Sequence, residues 1–371
     1  MEKEELKLLF KKYHDGTCTE EEKALLETWY LQFNEHDLDI SRQKIKAIGN
    51  RIWRELPENQ HSFLSIGIKL AAAAILLGFL VTVCLKFINL PIEKKQVSYP
   101  HDILPGSNKA ILTLSNGKKI NLTNAVNGQL ATQSGIQILK TAGGQITYKI
   151  AGNVGTTDDT KPNSITVPNG GQWQVILPDG SKVWLNSGSS LSYPASFTRQ
   201  SFRVVQLSGE GYFEVAKDKL HPFIVKTAGQ QVEVLGTHFN ISSYADEQQV
   251  KTTLAEGRVK VSDQVGKIKI LAPGQQSVLT HGILTTGEAN IEEALAWKNG
   301  YFRFNDENIQ SIMRKLSRWY DIDVQYEGSI PDDGLNGKIS RFKNISQVLK
   351  ALEATKTVHF KVEGRRVTVM K

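Results

Sequence analysis

The side chains that most often carry chemistry are few in this chain and far apart. Its 371 residues include two cysteines, Cys18 and Cys84, and eight histidines. The histidines are His14, His36, His61, His101, His221, His238, His281 and His359. No two of them have the spacing of a metal-binding pair, so the sequence predicts neither a metal site nor a cofactor.

Hydrolytic chemistry is equally poorly represented. No pair of carboxylates, no nucleophile elbow and no ordered set of Ser, His and Asp stands out in the sequence. Among the possible functions, a hydrolase is therefore the one that the sequence supports least. The sequence predicts a protein that acts by binding and not by catalysis.

The charge pattern argues against a nucleic-acid partner. Residues 1–69 carry 11 Lys and Arg against 13 Asp and Glu, whereas residues 86–371 carry 34 against 25. The positive excess in the longer piece is scattered and contains no basic run, unlike a nucleic-acid-binding face. We therefore expect no direct contact with nucleic acid.

One uncharged run divides the chain. Leu70–Leu85 contains 16 residues without a charge, and the wider stretch Phe63–Ile88 is apolar enough for the helix of roughly 20 residues that a bilayer core requires. The run begins too far along the chain to be a cleaved signal peptide. A buried core helix would usually show a polar stripe, which is absent here. We predict one transmembrane helix at residues 63–89.

The flanking charges do not orient this span. Lys and Arg close to a span set its direction, and three lie on each side. They are Arg51, Arg54 and Lys69 before it, and Lys86, Lys94 and Lys95 after it. Charge alone therefore leaves the orientation open.

Residues 1–62 predict a small all-α domain. Apolar residues recur at helical spacing in three stretches, and Thr19 to Glu22 has the pattern of a capping box. Three such helices form only a marginal core on their own. Two interpretations follow: the apolar faces pack on one another, or Trp29 and Trp53 belong to a surface that binds a partner helix.

The region after the span predicts β structure. Residues 90–163 contain a polar tether and a first hairpin, and residues 164–285 contain short strands punctuated by glycine. Leu114–Leu122 and Leu177–Leu185 resemble each other and predict two similar hairpins, the second with a Pro178-Asp179-Gly180 turn. The strands are compatible with a sandwich, a barrel or a stacked meander, and nothing in the pattern selects among these.

Several glycine and aromatic residues in this β region have a structural interpretation. Gly180, Gly209, Gly211 and Gly236 are expected to supply turn conformations. Four aromatic residues are expected to pack between sheets in preference to binding a ligand, because alternate strand positions face inward. These are Trp173, Trp184, Tyr212 and Phe213.

The composition changes at about residue 290. Residues 286–300 predict a linker with a short helix, and residues 301–371 predict strands and helices in two βαβ-like halves. The helix at 308–320 would bury Ile309, Ile312, Met313 and Leu316. The helix at 346–355 would bury Val348, Leu349 and Leu352. The predicted fold class is therefore a multidomain membrane protein: an all-α N-terminal domain, one span, an all-β domain and an α+β C-terminal module.

Four segments resemble a known family. They are PDGSKVWLNSGSSLSYPASF from Pro178, VQLSGEGYFEVAKD from Val205, PFIVKTAGQQVEVLGTHFNI from Pro222 and LAWKNGYFRFNDENIQSIMRKLSRWYDIDV from Leu295. This set is similar to the FecR family of anti-sigma regulators, in the branch that ends with an STN-like C-terminal domain. The resemblance covers nearly the whole chain in order.

The resemblance implies a signalling role in the envelope of a Gram-negative bacterium. Residues 1–62 would lie in the cytoplasm and hold an extracytoplasmic-function sigma factor. The β and α+β parts would lie in the periplasm, where the C-terminal module would meet the signalling domain of a TonB-dependent outer-membrane receptor. This assignment orients the span across the inner membrane, with the N-terminus in the cytoplasm.

The resemblance also raises one chemical hypothesis. Some members of the family cleave themselves at a Gly-Thr bond, and Gly236-Thr237 stands in the sequence VLGTHF. The Thr237 hydroxyl would attack the preceding carbonyl to give an ester that water opens. The alternative, which the residue types favour, is a bend at a strand end with threonine as a β-former.

Two further expectations concern how the protein works. A span without a polar stripe has little to relay by rotation, so we expect signalling by partner release or by proteolysis, with an intramembrane protease as a further partner. The competing function is a membrane-anchored envelope β protein that binds carbohydrate or an assembly partner. The N-terminal helical domain would have no purpose in such an anchor.

Overall fold

The structure, a computed structural model, describes residues 102–371 apart from 134, 151–161 and 199, together with Lys12, Thr17, Thr19 and Glu22. Within these residues no helix has the length and apolar character needed to cross a bilayer. The transmembrane helix predicted at 63–89 lies outside them, as does nearly all of the helical domain predicted at 1–62.

The N-terminal residues that are described bear on one prediction. Thr19 N donates to Glu22 Oε2 at 3.1 Å, and Glu22 N donates to Thr19 Oγ1 at 3.2 Å. This reciprocal pair is the predicted capping box, which is confirmed. Lys12 Nζ donates to Glu22 Oε1 at 2.6 Å, and this hydrogen bond lowers the pKa of the Glu22 carboxyl.

The described residues up to 288 form a β domain of short strands. The strands are β1 (Ser107–Asn108), β2 (Ile111–Thr113), β3 (Lys119–Asn121), β4 (Gly128–Gln133), β5 (Ile136–Lys140), β6 (Ile146–Ile150), β7 (Asn163–Val167), β8 (Gly171–Ile176), β9 (Lys182–Leu185), β10 (Ser189–Tyr193), β11 (Arg203–Glu214), β12 (Phe223–Lys226), β13 (Gln230–Val234), β14 (His238–Ser243), β15 (Gln249–Glu256), β16 (Val259–Asp263), β17 (Ile268–Leu271), β18 (Gln275–Thr280) and β19 (Ile283–Glu288).

These strands form two sheets that share β11. The first has the order β3-β2-β7-β10-β11-β12-β13-β16-β17. The second has the order β4-β5-β6-β8-β9-β11-β14-β15-β18-β19. Neighbours are antiparallel except β11–β12 and β6–β8, and β1 adds to β8 in parallel.

The core lies between the two sheets. Alternate strand positions are buried, as in β8 and β10, because successive side chains of a strand point to opposite faces. Phe213 of the second sheet lies 6.4 Å from Phe223 of the first, measured between ring centroids. Both belong to one buried apolar cluster. Of the three architectures left open by the sequence, the structure is therefore a sandwich.

Strand β11 passes from one sheet to the other at Gly209. Ser208 pairs with Ser190 in the first sheet, whereas Gly209 pairs with Ser243 in the second. Gly209 has a φ of +87°, and a Cβ there would lie 2.5 Å from Ser189 Oγ. The sequence predicted two strands at 202–208 and 211–216. That division is wrong, because glycine bends the strand without ending its hydrogen bonding.

The two predicted hairpins are confirmed and share one turn geometry. Leu114 N donates to Lys118 O and Gly117 N to Leu114 O, at 2.9 and 2.8 Å. In the second hairpin, Leu177 N donates to Ser181 O and Gly180 N to Leu177 O, at 2.8 and 2.9 Å. Gly117 and Gly180 both have a φ of +84°. Glycine is needed at both positions because this backbone conformation is unfavourable for other residues.

The C-terminal module follows a short helix. The elements are α1 (Ile291–Ala294), β20 (Tyr301–Glu307), α2 (Ile309–Tyr320), β21 (Asp323–Glu327), β22 (Leu335–Ser340), α3 (Ile345–Glu353), β23 (His359–Glu363) and β24 (Arg366–Met370). Helix α2 begins after Asn308, whose side chain accepts from Ser311 N at 2.9 Å. It ends at Asp321, which has a φ of 53°. Both positions are typical helix caps.

The strands of the module are divided between two small sheets. β20 pairs with β22, and β24 lies between β21 and β23. β20, the first strand of the first predicted half, therefore pairs with β22, the first strand of the second half. The residues predicted to face inward from α2 and α3 are all buried in one apolar cluster, which confirms that part of the prediction.

Candidate interaction site at the junction of the β domain and the C-terminal module

The guanidinium of Arg341 lies at the centre of the junction between the β domain and the C-terminal module. Arg341 follows β22 and is 2% exposed. Its Nη1 donates to Trp297 O and its Nη2 to Asn186 Oδ1, both at 2.8 Å. Its guanidinium carbon lies 3.8 Å from the centroid of the Trp319 ring. One side chain therefore contacts the β domain, the linker and helix α2.

Amide side chains connect this cation to a carboxylate. Asn186 Nδ2 donates to Glu210 Oε2 at 2.8 Å, and Asn240 Nδ2 donates to Glu210 Oε1 at 3.0 Å. Asn240 Oδ1 in turn accepts from Trp297 Nε1 at 3.2 Å. Burial lowers the pKa of Arg341 to about 10, so the guanidinium remains protonated at neutral pH. Its charge is balanced through hydrogen-bonded amides, as a buried charge requires.

A second group of charges fixes helix α2 to the loop after β14. Arg318 donates to Glu247 Oε1 at 2.8 Å and to Asp246 Oδ2 at 2.9 Å, and Arg314 Nη2 lies 3.3 Å from Glu247 Oε2. Burial alone would raise the pKa of Glu247, but Arg318 and Arg314 together outweigh it and lower that pKa. The Arg318 guanidinium also lies 3.9 Å from the centroid of the Tyr244 ring.

The sandwich itself brings the junction residues of the β domain together. Asn186 follows β9, Glu210 lies in β11 and Asn240 lies in β14, three neighbouring strands of the second sheet. Asn186 N donates to Glu210 O at 3.0 Å, which continues the ladder beyond β9. All three residues belong to the segments quoted for the family resemblance. The sequence did not mark them as functional, because Arg341, their partner, is 155 residues away from Asn186.

The Pro178-Asp179-Gly180 turn has a structural role. Asp179 Oδ2 accepts from Arg203 Nη1 at 2.6 Å, and Asp179 Oδ1 accepts from Ser181 N at 3.0 Å. Arg203 is almost fully buried and begins β11. The pair therefore ties the β8–β9 hairpin to the shared strand. The prediction that Gly180 supplies a turn is confirmed, whereas Gly211 lies within β11 and has no positive φ.

The four aromatic residues of the prediction divide into two pairs. Trp173 and Phe213 are buried in the core of the sandwich, as predicted. Trp184 and Tyr212 lie outside that cluster, and Lys298 Nζ lies 4.6 Å from the centroid of each ring. For Trp184 and Tyr212, the prediction that they pack between the sheets is wrong. They lie instead beneath the linker that leads to the C-terminal module.

A groove of about 340 Å³ runs beside Trp184. Trp184, Gln172, Gln174 and Lys298 are among the residues that line it. A sugar that binds by stacking needs an open ring face, and the Lys298 ammonium already occupies a face of Trp184. The carbohydrate-binding alternative stays a prediction.

The structure gives Gly236 and Thr237 structural roles. Gly236 has a φ of +149°, and a Cβ there would lie 2.7 Å from Lys217 Cα. Only glycine fits this approach. Thr237 is buried, and its Oγ1 donates to Arg258 O at 3.0 Å. Self-cleavage at this bond stays a prediction. The other predicted site residues, Trp29 and Trp53, lie outside the described residues.

Comparison with known proteins identifies the family. Residues 163–260 match the model described as FecR protein, and residues 301–369 match the model described as FecR, C-terminal. The chain is also 30% identical to a protein of known crystal structure, covering 98% of that protein and 56% of its own length, with a TM-score of 0.53. The chain belongs to the FecR family.

The structural relative of this FecR-family chain is described as "a putative anti-sigma factor from Parabacteroides distasonis ATCC 8503". Its crystal structures at 1.65 and 2.50 Å resolution give the same identity, coverage and TM-score. A search of curated proteins gave no match. The junction joins the two matched regions, because Asn186, Glu210 and Asn240 lie in the first and Arg318 and Arg341 lie in the second.

Proposed function

We propose that this FecR-family chain is a single-pass regulator of a sigma factor in the inner membrane of a Gram-negative bacterium. Residues 1–62 bind an extracytoplasmic-function sigma factor in the cytoplasm, and a helix at 63–89 spans the membrane. The β domain and the C-terminal module lie in the periplasm. The observation that carries the proposal is the match of both FecR models in this order, supported by the anti-sigma description of the structural relative.

Co-purification tests the sigma-binding role. The affinity-tagged full chain, expressed in its host, should retain a sigma factor of the extracytoplasmic-function class. Trp29→Ala and Trp53→Ala should weaken retention roughly tenfold if these aromatics are anchors of the interface. Phe202→Ala, an exposed aromatic in the β domain, is the control and should leave retention unchanged. A full chain that retains no sigma factor would contradict the proposal.

Reporter fusions test the localisation. Alkaline phosphatase fused after Lys371 should be active, because the enzyme requires the oxidising periplasm for its disulfides. The same enzyme fused after His61 should be inactive in the cytoplasm. Activity at His61 with none at Lys371 would reverse the proposed orientation.

We further propose that the free edge of β21 receives a strand from the signalling domain of a TonB-dependent receptor. Within the described residues, β21 and β23 each pair only with β24, so each leaves one edge free. β23 exposes Lys361, paired with Glu363 at 2.9 Å, and charges of this kind disfavour strand addition. β21 has its charges at its two ends, Asp323 and Glu327, and its middle carries the polar Gln325 beside Tyr326, which is 44% exposed. An added strand would form main-chain hydrogen bonds there.

A matched pair of substitutions tests this edge. Tyr326→Lys should weaken binding of the receptor's signalling domain to the full chain roughly tenfold, because a lysine on an edge strand opposes pairing. Tyr301→Lys is the control, since Tyr301 is similarly exposed, at 40%, but lies on β20 in the other small sheet. Equal loss in the two variants would count against the β21 edge.

The regulator acts by binding partners and not as an enzyme, with release of the sigma factor by partner exchange or by an intramembrane protease. Self-cleavage at Gly236-Thr237 is tested by tagging both ends of the chain. Cleavage predicts two fragments in the wild type and one full-length species in Thr237→Ala. One full-length species in both proteins would exclude it.

A further inference from the structure

The first described segment of the chain packs on the C-terminal module before it reaches the β domain. Ile103 is 7% exposed and belongs to the apolar cluster of the module, not to the core of the sandwich. Four residues later, Ser107 N donates to Gly170 O at 3.0 Å and β1 begins to pair with β8. Along the chain, residues 102–106 therefore contact the C-terminal module before residue 107 begins to pair with the β domain.

Asp102 serves as the cap of helix α3. The residue at the N-cap position, Asn344, makes no side-chain cap hydrogen bond. Instead, Asp102 Oδ1 accepts from Ser346 N at 3.2 Å and Asp102 Oδ2 from Ser346 Oγ at 2.6 Å. Ile103 O accepts from Ile345 N at 3.0 Å. A carboxylate at a helix N-terminus satisfies free N–H groups and is favoured by the helix dipole.

The other end of the segment lies against the tryptophan of the junction. A Cβ on Gly106 would be 2.7 Å from Trp319 Cε3, so the backbone is in direct contact with the ring. Trp319 Nε1 donates to Arg341 O at 2.8 Å, and the Arg341 guanidinium stacks on the same ring. A displacement of the segment therefore changes the surroundings of Arg341.

We propose that residues 102–106 couple the C-terminal module directly to the part of the chain that precedes them. The segment contacts the start of α3 at one end and Trp319 at the other. A partner that moves α3 or Trp319 releases the segment, and the change reaches the N-terminal side without passing along the sheets of the β domain. This signalling role rests on the proposed function. The contacts of residues 102–106 with α3 and Trp319 are independent of that function.

Hydrogen exchange on the full chain tests the contact. Asp102→Ala should make the amides of α3 exchange about 3- to 30-fold faster, the effect of losing a helix cap. Asp102→Asn retains one acceptor oxygen and should give an intermediate rate. Asn344→Ala is the control and should exchange as the wild type does. Wild-type rates in Asp102→Ala, or equal acceleration in Asn344→Ala, would overturn the assignment.

A reversible cross-link tests the signalling role. Asp102→Cys and Ser346→Cys, in a chain with Cys18→Ser and Cys84→Ser, place two thiols at positions whose native side chains are hydrogen-bonded to each other, at 2.6 Å. Periplasmic expression of the receptor's signalling domain serves as the inducer, and sigma-dependent transcription is measured. Oxidised protein should lose induction at least tenfold, and reductant should restore it.

Full induction of the cross-linked protein, with the disulfide verified on a non-reducing gel, would overturn the coupling. A wild type that shows no sigma-dependent induction under the same conditions would instead contradict the proposed function. In that case the hydrogen-exchange rates of α3 still decide whether Asp102 caps the helix.

Discussion

At the scale of single residues, Arg341 shows how this fold accommodates a buried cation. Its guanidinium donates to two neutral acceptors, Asn186 Oδ1 and Trp297 O, and Asn186 in turn donates to the carboxylate of Glu210. Burying a charge without hydrogen-bond partners is costly, whereas removing one member of a satisfied group leaves the others unpaired. Arg341 is therefore expected to matter more for the junction than any exposed ion pair.

Arg341→Ala should lower the stability of the junction by about 3 kcal/mol. It removes one of two donors to Asn186 Oδ1 and one of two donors to Trp297 O, and it takes the stacking partner from Trp319. Native-state hydrogen exchange of α2 in the full chain measures this loss. Arg303→Ala is the control: its ion pair with Glu292, at 2.7 Å, is partly exposed and is worth at most about 1 kcal/mol. Equal losses in both variants would contradict the central role of Arg341.

The residues of the junction also show what a sequence can and cannot reveal. Asn186, Glu210 and Asn240 lie in the segments that identify the family, so their region was marked as distinctive. Arg318 also lies in such a segment, the one that starts at Leu295, whereas Arg341 lies outside all four. The partners of both arginines could not be predicted, because they lie far away along the chain and local spacing contains no information about them. Among the hydrogen-bonded pairs of the described residues, the largest such separation is that between Asp102 and Ser346, through which Asp102 caps helix α3: their sequence numbers differ by 244.

At the scale of elements, strand β11 holds the sandwich together by belonging to both sheets. Gly209 makes this possible in two ways: its φ of +87° bends the strand, and its missing side chain lets Ser189 approach. The period-2 pattern predicted the strands on either side correctly. It predicted a break between them because glycine residues usually end a strand, and only the pairing partners show that this strand continues.

Gly209→Ala should destabilise the β domain by about 3 kcal/mol or more, since the new Cβ would meet both the strained φ and the backbone of Ser189, 2.7 Å away. Gly180→Ala separates the two causes, because Gly180 has a similar φ of +84° but open space around it. It should cost about 1–2 kcal/mol. Denaturant unfolding of the full chain, followed by exchange of the β11 amides, measures both. A smaller loss at Gly209 would contradict the steric argument.

Sheet order was the main part of the fold that the sequence left undetermined. The two repeated hairpins could be predicted because the turn residues and the pairing strands are adjacent in sequence. The placement of one hairpin in each sheet could not be predicted. It depends on pairings between strands that are distant in sequence, such as β2 with β7 and β9 with β11. In the module, helical spacing predicted the buried faces of α2 and α3, but not the exchange of strands between the two halves.

At the scale of the whole described molecule, acid should weaken the attachment of the C-terminal module to the β domain at helix α2. The pKa of Glu247 is lowered in the folded protein, so its stabilising contribution is present above the unfolded value of 4.5 and is lost as pH falls through the folded value. Contacts between Glu247 and the arginines of α2 should therefore weaken as the pH falls below 4.5. Exchange rates of α2 and of the loop after β14, measured across this range, test the expectation.

Glu247→Gln provides the control for the acid response. It removes the titrating carboxyl, so the module should be more weakly held at neutral pH and should show less dependence on pH between about 3 and 5. An unchanged pH dependence in this variant would assign the response to another carboxyl.

The cap that Asp102 provides to helix α3 has a consequence for synthesis. Asp102 and Ser346 are 244 residues apart, so the contact forms only after nearly all of the described chain has been made. Contacts of such long range form late and slowly compared with local ones. A chain truncated before α3 leaves the segment at 102–106 without its partner helix. The contact between Asp102 and Ser346 thus distinguishes chains that include α3 from chains that end before it.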